Sequence, residues 1–242
     1  MKIDNIRYSR NILTPEIGIE GQKKILNAKV LICGAGGLGS TVIANLASLG
    51  VGQVGIVDND NLELSNFNRQ YIHALDFLGK SKTVSAANWI KNYNTDIEVK
   101  TFKIRLDETN YTKIVKEYDI IVDCFDSFGS KFLLNDIALN TGKPLVHGGV
   151  TEFRGQAFTI IPYKTACLRC LLPDADLDTH IAKGVVSPAV STIASIQSME
   201  ILKLILDNGQ LLTDKILIFD GLKGEFKTIK FSKNNNCTCA KH

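Results

Sequence analysis

The chain has 242 residues, 45% hydrophobic and 22% charged, with a formal net charge of +3, which is enough apolar material for one large domain with a full core. A weak positive balance with only short basic clusters gives no support to nucleic-acid binding. The longest greasy segment, 189–206, is interrupted by Ser191, Ser195, Gln197, Ser198, Glu200 and Lys203 and is too polar for a membrane span; no signal peptide is read after Met1, so a soluble, cytoplasmic protein is expected.

In chain order, Thr14-Pro15 is a helix start signal before a helix over 17–26. Apolar runs and helical patterns then alternate: strand 29–33, helix 37–49, strand 53–58, helix 81–92, strand 97–103, helix 108–117, strand 119–124, helix 130–141 and strand 144–147. That rhythm predicts an α/β fold, a Rossmann-like doubly wound, mainly parallel sheet with helices on both faces. After Gly148 the pattern changes: strand 155–161, an unpatterned stretch over 162–188, a helix over 189–207, and closing strands 215–219 and 226–231, read as antiparallel. Unpatterned stretches of that length are uncommon and often functional. The expected organisation is a single domain over 1–242: a helical arm at 1–28, a nucleotide-binding half at 29–150, and a second half at 151–242.

Gly34-x-Gly36-x-x-Gly39 follows a strand and opens a helix, the context of a phosphate-binding turn. Gly34 allows the tight turn, Gly36 the approach of phosphate, and Gly39 close helix–strand packing, while Asp58 at the end of the next strand can accept from a ribose diol. A dinucleotide pyrophosphate is satisfied by helix amides and dipole alone. Here Asn66, Asn68, Arg69 and Gln70 are added, then Lys80-Ser81-Lys82, and fixed cations suit a triphosphate whose leaving pyrophosphate gains charge. An NAD-dependent oxidoreductase, the rival reading of the glycine pattern, leaves those cations without a task.

Of six cysteines, Cys33 and Cys124 lie in apolar runs and read as small core residues. Cys167-x-x-Cys170 is half of a tetrahedral metal site, and Cys237-Thr238-Cys239 is a second pair one residue shorter than the usual spacing. Four-cysteine zinc is expected, with His242 in place of Cys237, or no metal, as the alternatives. His73 and His147 have no visible constellation; the first reads as packed in a turn, the second as a strand-end residue beside Gly148-Gly149. The series Ile193, Ile196, Met199, Leu202, Leu206 reads as core or dimer surface.

The residues Arg7-Tyr8-Ser9-Arg10-Asn11, Gly34 to Ser40, Val57-Asp58-Asn59-Asp60, Leu64-Ser65-Asn66-Phe67-Asn68-Arg69-Gln70, Gly79-Lys80-Ser81-Lys82, Asp123-Cys124-Phe125-Asp126, Gly155-Gln156, Cys167-Leu168-Arg169-Cys170 and Phe219-Asp220-Gly221 resemble the ThiF/MoeB/HesA family over nearly the whole length. The resemblance implies an adenylyltransferase that uses ATP and Mg2+ to join AMP to the C-terminal glycine of a ubiquitin-like sulfur carrier, for thiamine or molybdopterin synthesis. Adenylation of a ribosomal peptide C-terminus is the closely related alternative. It implies a nucleotide site of Gly34, Gly36, Gly37, Gly39, Asp58, Asp60, Ser65, Asn66, Asn68, Arg69, Lys82, Asp126 and Ser127. In it, Asp126 holds magnesium, Lys82 meets phosphate, and Arg10 enters the site of a partner subunit in a homodimer. Asp126-Ser127 stands where relatives carry Asp-Asn. Asp123 is the rival magnesium ligand, since magnesium takes one or two carboxylates. Between Leu171 and Pro188 there is no cysteine to form a covalent carrier adduct, so a separate sulfur donor is expected. His180 in that stretch reads as a polar loop residue, and Asp174-x-Asp176-x-Asp178 lacks the Gly and Glu of a calcium loop.

Overall fold

A computed structural model describes residues 3–173 and 184–240. A one-turn helix α1 (Ser9–Ile12) and helix α2 (Gly18–Asn27) precede β1 (Lys29–Cys33), α3 (Gly37–Leu49), β2 (Gln53–Val57), α4 (Lys82–Tyr93), β3 (Glu98–Phe102), α5 (Tyr111–Val115), β4 (Ile120–Asp123), α6 (Phe128–Thr141) and β5 (Leu145–Thr151). Then come β6 (Arg154–Ile160), a one-turn α7 (Leu168–Leu171), the long α8 (Ser187–Leu206), β7 (Lys215–Asp220) and β8 (Glu225–Lys230). The eight strands of the described residues form one sheet in the order β3-β2-β1-β4-β5-β6-β7-β8. β3, β2, β1, β4 and β5 are parallel, and β6, β7 and β8 continue antiparallel.

Successive side chains on a strand face opposite sides, and the sheet therefore divides its apolar residues between two cores. Val30 and Ile32 of β1, with Val54 and Ile56 of β2 and Val122 of β4, pack with α3, α4 and α8. Leu31 and Cys33 of β1, with Ile121 of β4 and Phe158 of β6, pack with α5, α6 and α7. Gly55 faces the second core, where a Cβ would meet the Tyr118 ring at 2.4 Å. Cys33 and Cys124 are buried, as the sequence predicts. α8 is apolar and long enough to pass for a membrane span, yet half of it is buried against α3, β5 and β6, as in a core helix.

Several boundaries differ from the sequence reading. The helix expected over 108–117 is only Tyr111–Val115, because the Asp107 carboxylate takes the Thr109 and Asn110 amides and holds a turn there instead. α6 begins two residues early, where the Ser127 hydroxyl accepts the Ser130 amide as an N-cap. β5 runs on to Thr151 because β6 pairs with it along its whole length. In the stretch read as unpatterned, α7 forms a turn and residues 185–186 join the Glu152 backbone. The stripe on α8 is mixed: Ile193 is buried and Met199 is exposed. His180, His242 and the series Asp174, Asp176, Asp178 lie outside the described residues.

Candidate functional site

In the order β3-β2-β1-β4-β5 the chain leaves β1 toward one edge and returns through β4 to the other side of β1. Loops at the carboxyl ends of β1 and β4 therefore diverge, and open α/β sheets bind ligands in the crevice so formed. The glycine loop follows β1 here, and the segment holding Asp126 follows β4. Gly34, at φ +106°, sits so tightly on the β4 loop that a Cβ would meet the Cys124 carbonyl oxygen at 2.6 Å. A Cβ on Gly39 would lie 2.0 Å from the Gly34 oxygen, so that glycine sets the helix close over the turn.

At Gly36 a Cβ would find only the Gln70 Nε2, 3.7 Å away, whereas at Gly37 it would meet Val190 at 3.1 Å and the Arg69 side-chain carbons at 3.6 Å. The N-terminus of α3 thus has open room beside it, with Arg69 at its rim. Gln70 is buried and its Oε1 has no partner among the described residues. An open helix N-terminus with a cation at its rim suits a polyanionic ligand.

The remaining expected residues fall around this cradle. Asp58 is buried, and its carboxylate accepts the Ala35 and Asp60 amides at 2.8 Å. Burial pushes its pKa up against those two hydrogen bonds, and each oxygen retains a second lone pair for a ribose hydroxyl. Lys82 opens α4 with its ammonium 2.7 Å from Asp60, close enough to act electrostatically on both Asp58 and His73. Arg69 donates to the Ser65 carbonyl and to Asn68 Oδ1. Asn66 turns inward: its Oδ1 accepts the Glu63 amide in a reciprocal cap of the short 3-10 turn Leu64–Asn66. Ser127 is likewise engaged as the cap of α6. Asp126 is exposed and has no hydrogen bond or ion pair among the described residues, so its oxygens are free for a cation.

The rival carboxylate is not free. Both oxygens of Asp123 are taken, by Lys131, His147 and the Phe125 amide. This sets aside the rival ligand and corrects one sequence expectation, that for His147. Asp123 is a buried anchor with no oxygen to spare for magnesium, and His147 does have a constellation, built from residues 8 and 24 positions beyond Asp123, which no spacing rule reads. His73 packs in its turn as expected, between the Ala35 carbonyl at 3.0 Å and Ser85 Oγ at 3.0 Å.

Arg10 stands apart. α1 is fixed by Tyr8, whose ring lies against Gly50 at the C-terminal end of α3 and whose hydroxyl accepts from Asn94. α3 has 13 residues, roughly 20 Å at 1.5 Å per residue, and its N-terminus is the phosphate end. Arg10 is therefore at the opposite end from the cradle of its own chain.

Beside α6, the Sγ atoms of Cys167, Cys170, Cys237 and Cys239 lie within 4.8 Å of one another. Neighbouring sulfurs are 3.4, 3.5 and 3.9 Å apart, close to the tetrahedron edge of about 3.8 Å implied by a zinc–sulfur distance of about 2.3 Å. The short pair closes because residues 238–240 form a 3-10 turn. Burial pushes the Cys167 thiol up to about 12. At Cys237 hydrogen bonds from the Cys239 amide and the other thiols outweigh burial and hold the thiol below its ordinary value. A divalent ion would stabilise all four as thiolates, and the Asn234 amide already donates to Cys170 Sγ. The four thiols could hold a metal ion with no position left open.

Comparison with known proteins gives a match to the ThiF family over residues 8–240. The chain is 39% identical over 235 residues to the SAMP-activating enzyme E1 of Haloferax volcanii, covering 96% of this chain and 87% of that one. It is 38% identical to the adenylyltransferase and sulfurtransferase MOCS3 of Dictyostelium discoideum, of which it spans only 56%. Among solved structures, E. coli MccB with AMPCPP and MccA superposes with a TM-score of 0.87 at 25% identity, over 98% of this chain and 74% of that one.

Proposed function

The chain belongs to the ThiF family, and from that premise we propose that it is an adenylyltransferase that uses ATP to activate the C-terminal glycine carboxylate of a ubiquitin-like sulfur carrier. The observation that carries the reading is the crevice between β1 and β4: the glycine turn with Arg69 beside it follows β1, and the loop with the unengaged Asp126 follows β4.

The reaction needs no nucleophile from the protein. A carboxylate oxygen of the carrier attacks the α-phosphorus, the bond to the β-phosphate oxygen breaks, and its electron pair leaves with pyrophosphate. The protein's part is alignment and neutralisation of charge. Asp58 orients the ribose, the α3 amides and Arg69 hold the phosphates, and Lys82, steadied by Asp60, sits beside them. Asp126, with Ser127 fixing the turn behind it, would hold Mg2+, which when bound neutralises phosphate charge. Arg10 is supplied by a second copy of the chain. Cys167, Cys170, Cys237 and Cys239 hold a structural zinc ion, and the half over 151–242 receives the carrier. Sulfur comes from a separate donor, because 171–188 contains no cysteine. A peptide in place of the carrier is the second reading; it is favoured only by the likeness of fold to MccB, at lower identity than the Haloferax relative.

The test is isotope exchange between pyrophosphate and ATP with purified small carriers ending in Gly-Gly. Exchange should require a carrier, and Asp126→Asn should lower it by about a hundredfold or more, the usual loss when an aligned charge partner is removed, with an unchanged circular dichroism spectrum. Turnover retained by that variant removes Asp126 from the mechanism. NADH oxidation without exchange returns the oxidoreductase reading.

A further inference from the structure

Asp126 hangs on a short arch whose two feet meet at one buried ion pair. The first foot is Asp123, the last residue of β4, wholly buried. Its Oδ1 accepts the Phe125 amide at 3.1 Å, which turns the chain so that the Cys124 carbonyl and Phe125 amide lie under Gly34. The second foot is the first turn of α6, where the Lys131 amide bonds back to the Ser127 carbonyl. The Lys131 ammonium then closes the arch: it lies 3.3 Å from each Asp123 oxygen and donates to the Gly148 carbonyl of β5 at 2.6 Å. His147 Nδ1 donates to Asp123 Oδ2 at 2.7 Å, and Gln197 of α8 holds the Asp123 carbonyl at 2.8 Å.

An ammonium and a carboxylate taken out of water are retained only when paired and hydrogen-bonded, and here every contact converges on the two ends of one loop. A core of the same volume could be apolar. The polar pair instead joins β4, β5 and α6 at the point where the loop carrying Asp126 begins and ends.

We propose that Lys131 and His147 are positioning residues that act through Asp123: they pin the arch of residues 124–127 and so set Asp126 for the nucleotide-bound divalent ion. This rests on the reading of Asp126 given above. Asp123 itself is an anchor and touches no metal. The two roles for Asp123 predict opposite signs. If it anchors the arch, removing Lys131 or His147 loosens Asp126 and weakens the ion. If it were a ligand, removing the competing donors would free its oxygens and tighten the ion.

The experiment uses the full chain with saturating AMPCPP and Mn2+ as the probe, free Mn2+ being read by electron paramagnetic resonance. Binding of AMPCPP in the presence of EDTA is measured in parallel. Lys131→Met is expected to weaken Mn2+ by tenfold or more, Lys131→Arg to recover to within about threefold of the parent, and metal-free AMPCPP binding to change by less than twofold in each. His147→Leu leaves the ion pair in place beside Phe158 and keeps the test available should Lys131→Met not fold; a three- to tenfold weakening is expected. Mn2+ affinity unchanged or tighter in these variants overturns the proposal, as does a parallel loss of metal-free nucleotide binding. Asp126→Asn is measured alongside. If it weakens Mn2+ and the Lys131 and His147 variants do not, the inference alone fails. If it too binds Mn2+ like the parent, the assignment of Asp126 fails first.

Discussion

His73 joins the glycine loop to α4 in one protonation state. Its Nε2 donates to the Ala35 carbonyl and its Nδ1 faces Ser85, so the neutral ring with the proton on Nε2 serves both contacts. Burial lowers its pKa below the ordinary value of 6.5; the Ala35 hydrogen bond opposes this and the Lys82 ammonium adds to it. The unfolded chain therefore takes up a proton before the folded one as pH falls through 6.5, and stability declines over that window, by up to about 1.4 kcal/mol per pH unit. His147 shifts in the same direction and is common to parent and variant, so it cancels in a comparison. His73→Gln, which can still donate to Ala35, should lose less stability between pH 7.5 and 5.5 than the parent, by on the order of 1 kcal/mol in thermal or urea unfolding. Parallel pH profiles for the two proteins would show that another group titrates. At this scale the glycine turn itself is legible, because its packing on the β4 loop and under α3 admits no side chain at Gly34 or Gly39. Gln70, expected among the groups added for a triphosphate, is buried beside Gly36. The partners of Asp123 were not legible, because an ion pair between a strand end and the first turns of the following helix leaves no period in the chain.

The elements show why Ser127 can stand where relatives carry Asn. The position is the N-cap of α6, its side-chain oxygen accepting the Ser130 amide, and Asn and Ser cap helices about equally well. Ser127→Asn should therefore leave stability within about 0.5 kcal/mol of the parent, whereas Ser127→Ala should cost about 1 kcal/mol, read as a shift of the urea midpoint. If the alanine variant is as stable as the parent, the cap contributes nothing and the departure from the family pattern needs another account. The central strands β1, β2 and β4 are legible nearly to the residue because both their faces are buried, which makes each a continuous apolar run. Helix ends were read less well, since a side chain such as Asp107 or Ser127 decides them by a hydrogen bond rather than by hydropathy. One-turn pieces, α1, α7 and the 3-10 turns, carry too few residues for any period to appear. β8 is exposed at every position, so burial leaves no apolar run there.

For the molecule as a whole, the placement of Arg10 is the strongest argument for a working unit larger than one chain. Tyr8 fills the space beside Gly50, where a Cβ would meet its ring at 2.5 Å, and the Asn11 amide donates to Gln22 Oε1, which fixes α1 against α2 and the trailing end of α3. Strands β1 and β2 and helix α3 separate that corner from the glycine loop. If Arg10 acts as proposed, it comes from a second copy of the chain. Mixed subunits test this directly. In a heterodimer of Arg10→Ala with Asp126→Asn, one crevice has both residues intact and the other has neither. Random assembly makes half the dimers mixed, so pyrophosphate exchange should recover to about a quarter of the parent value from two inactive parents. If verified heterodimers stay inactive while each variant is folded, Arg10 acts within its own chain or not at all. A closed two-fold arrangement would place the two crevices symmetrically about the contact, each completed by the other chain's α1.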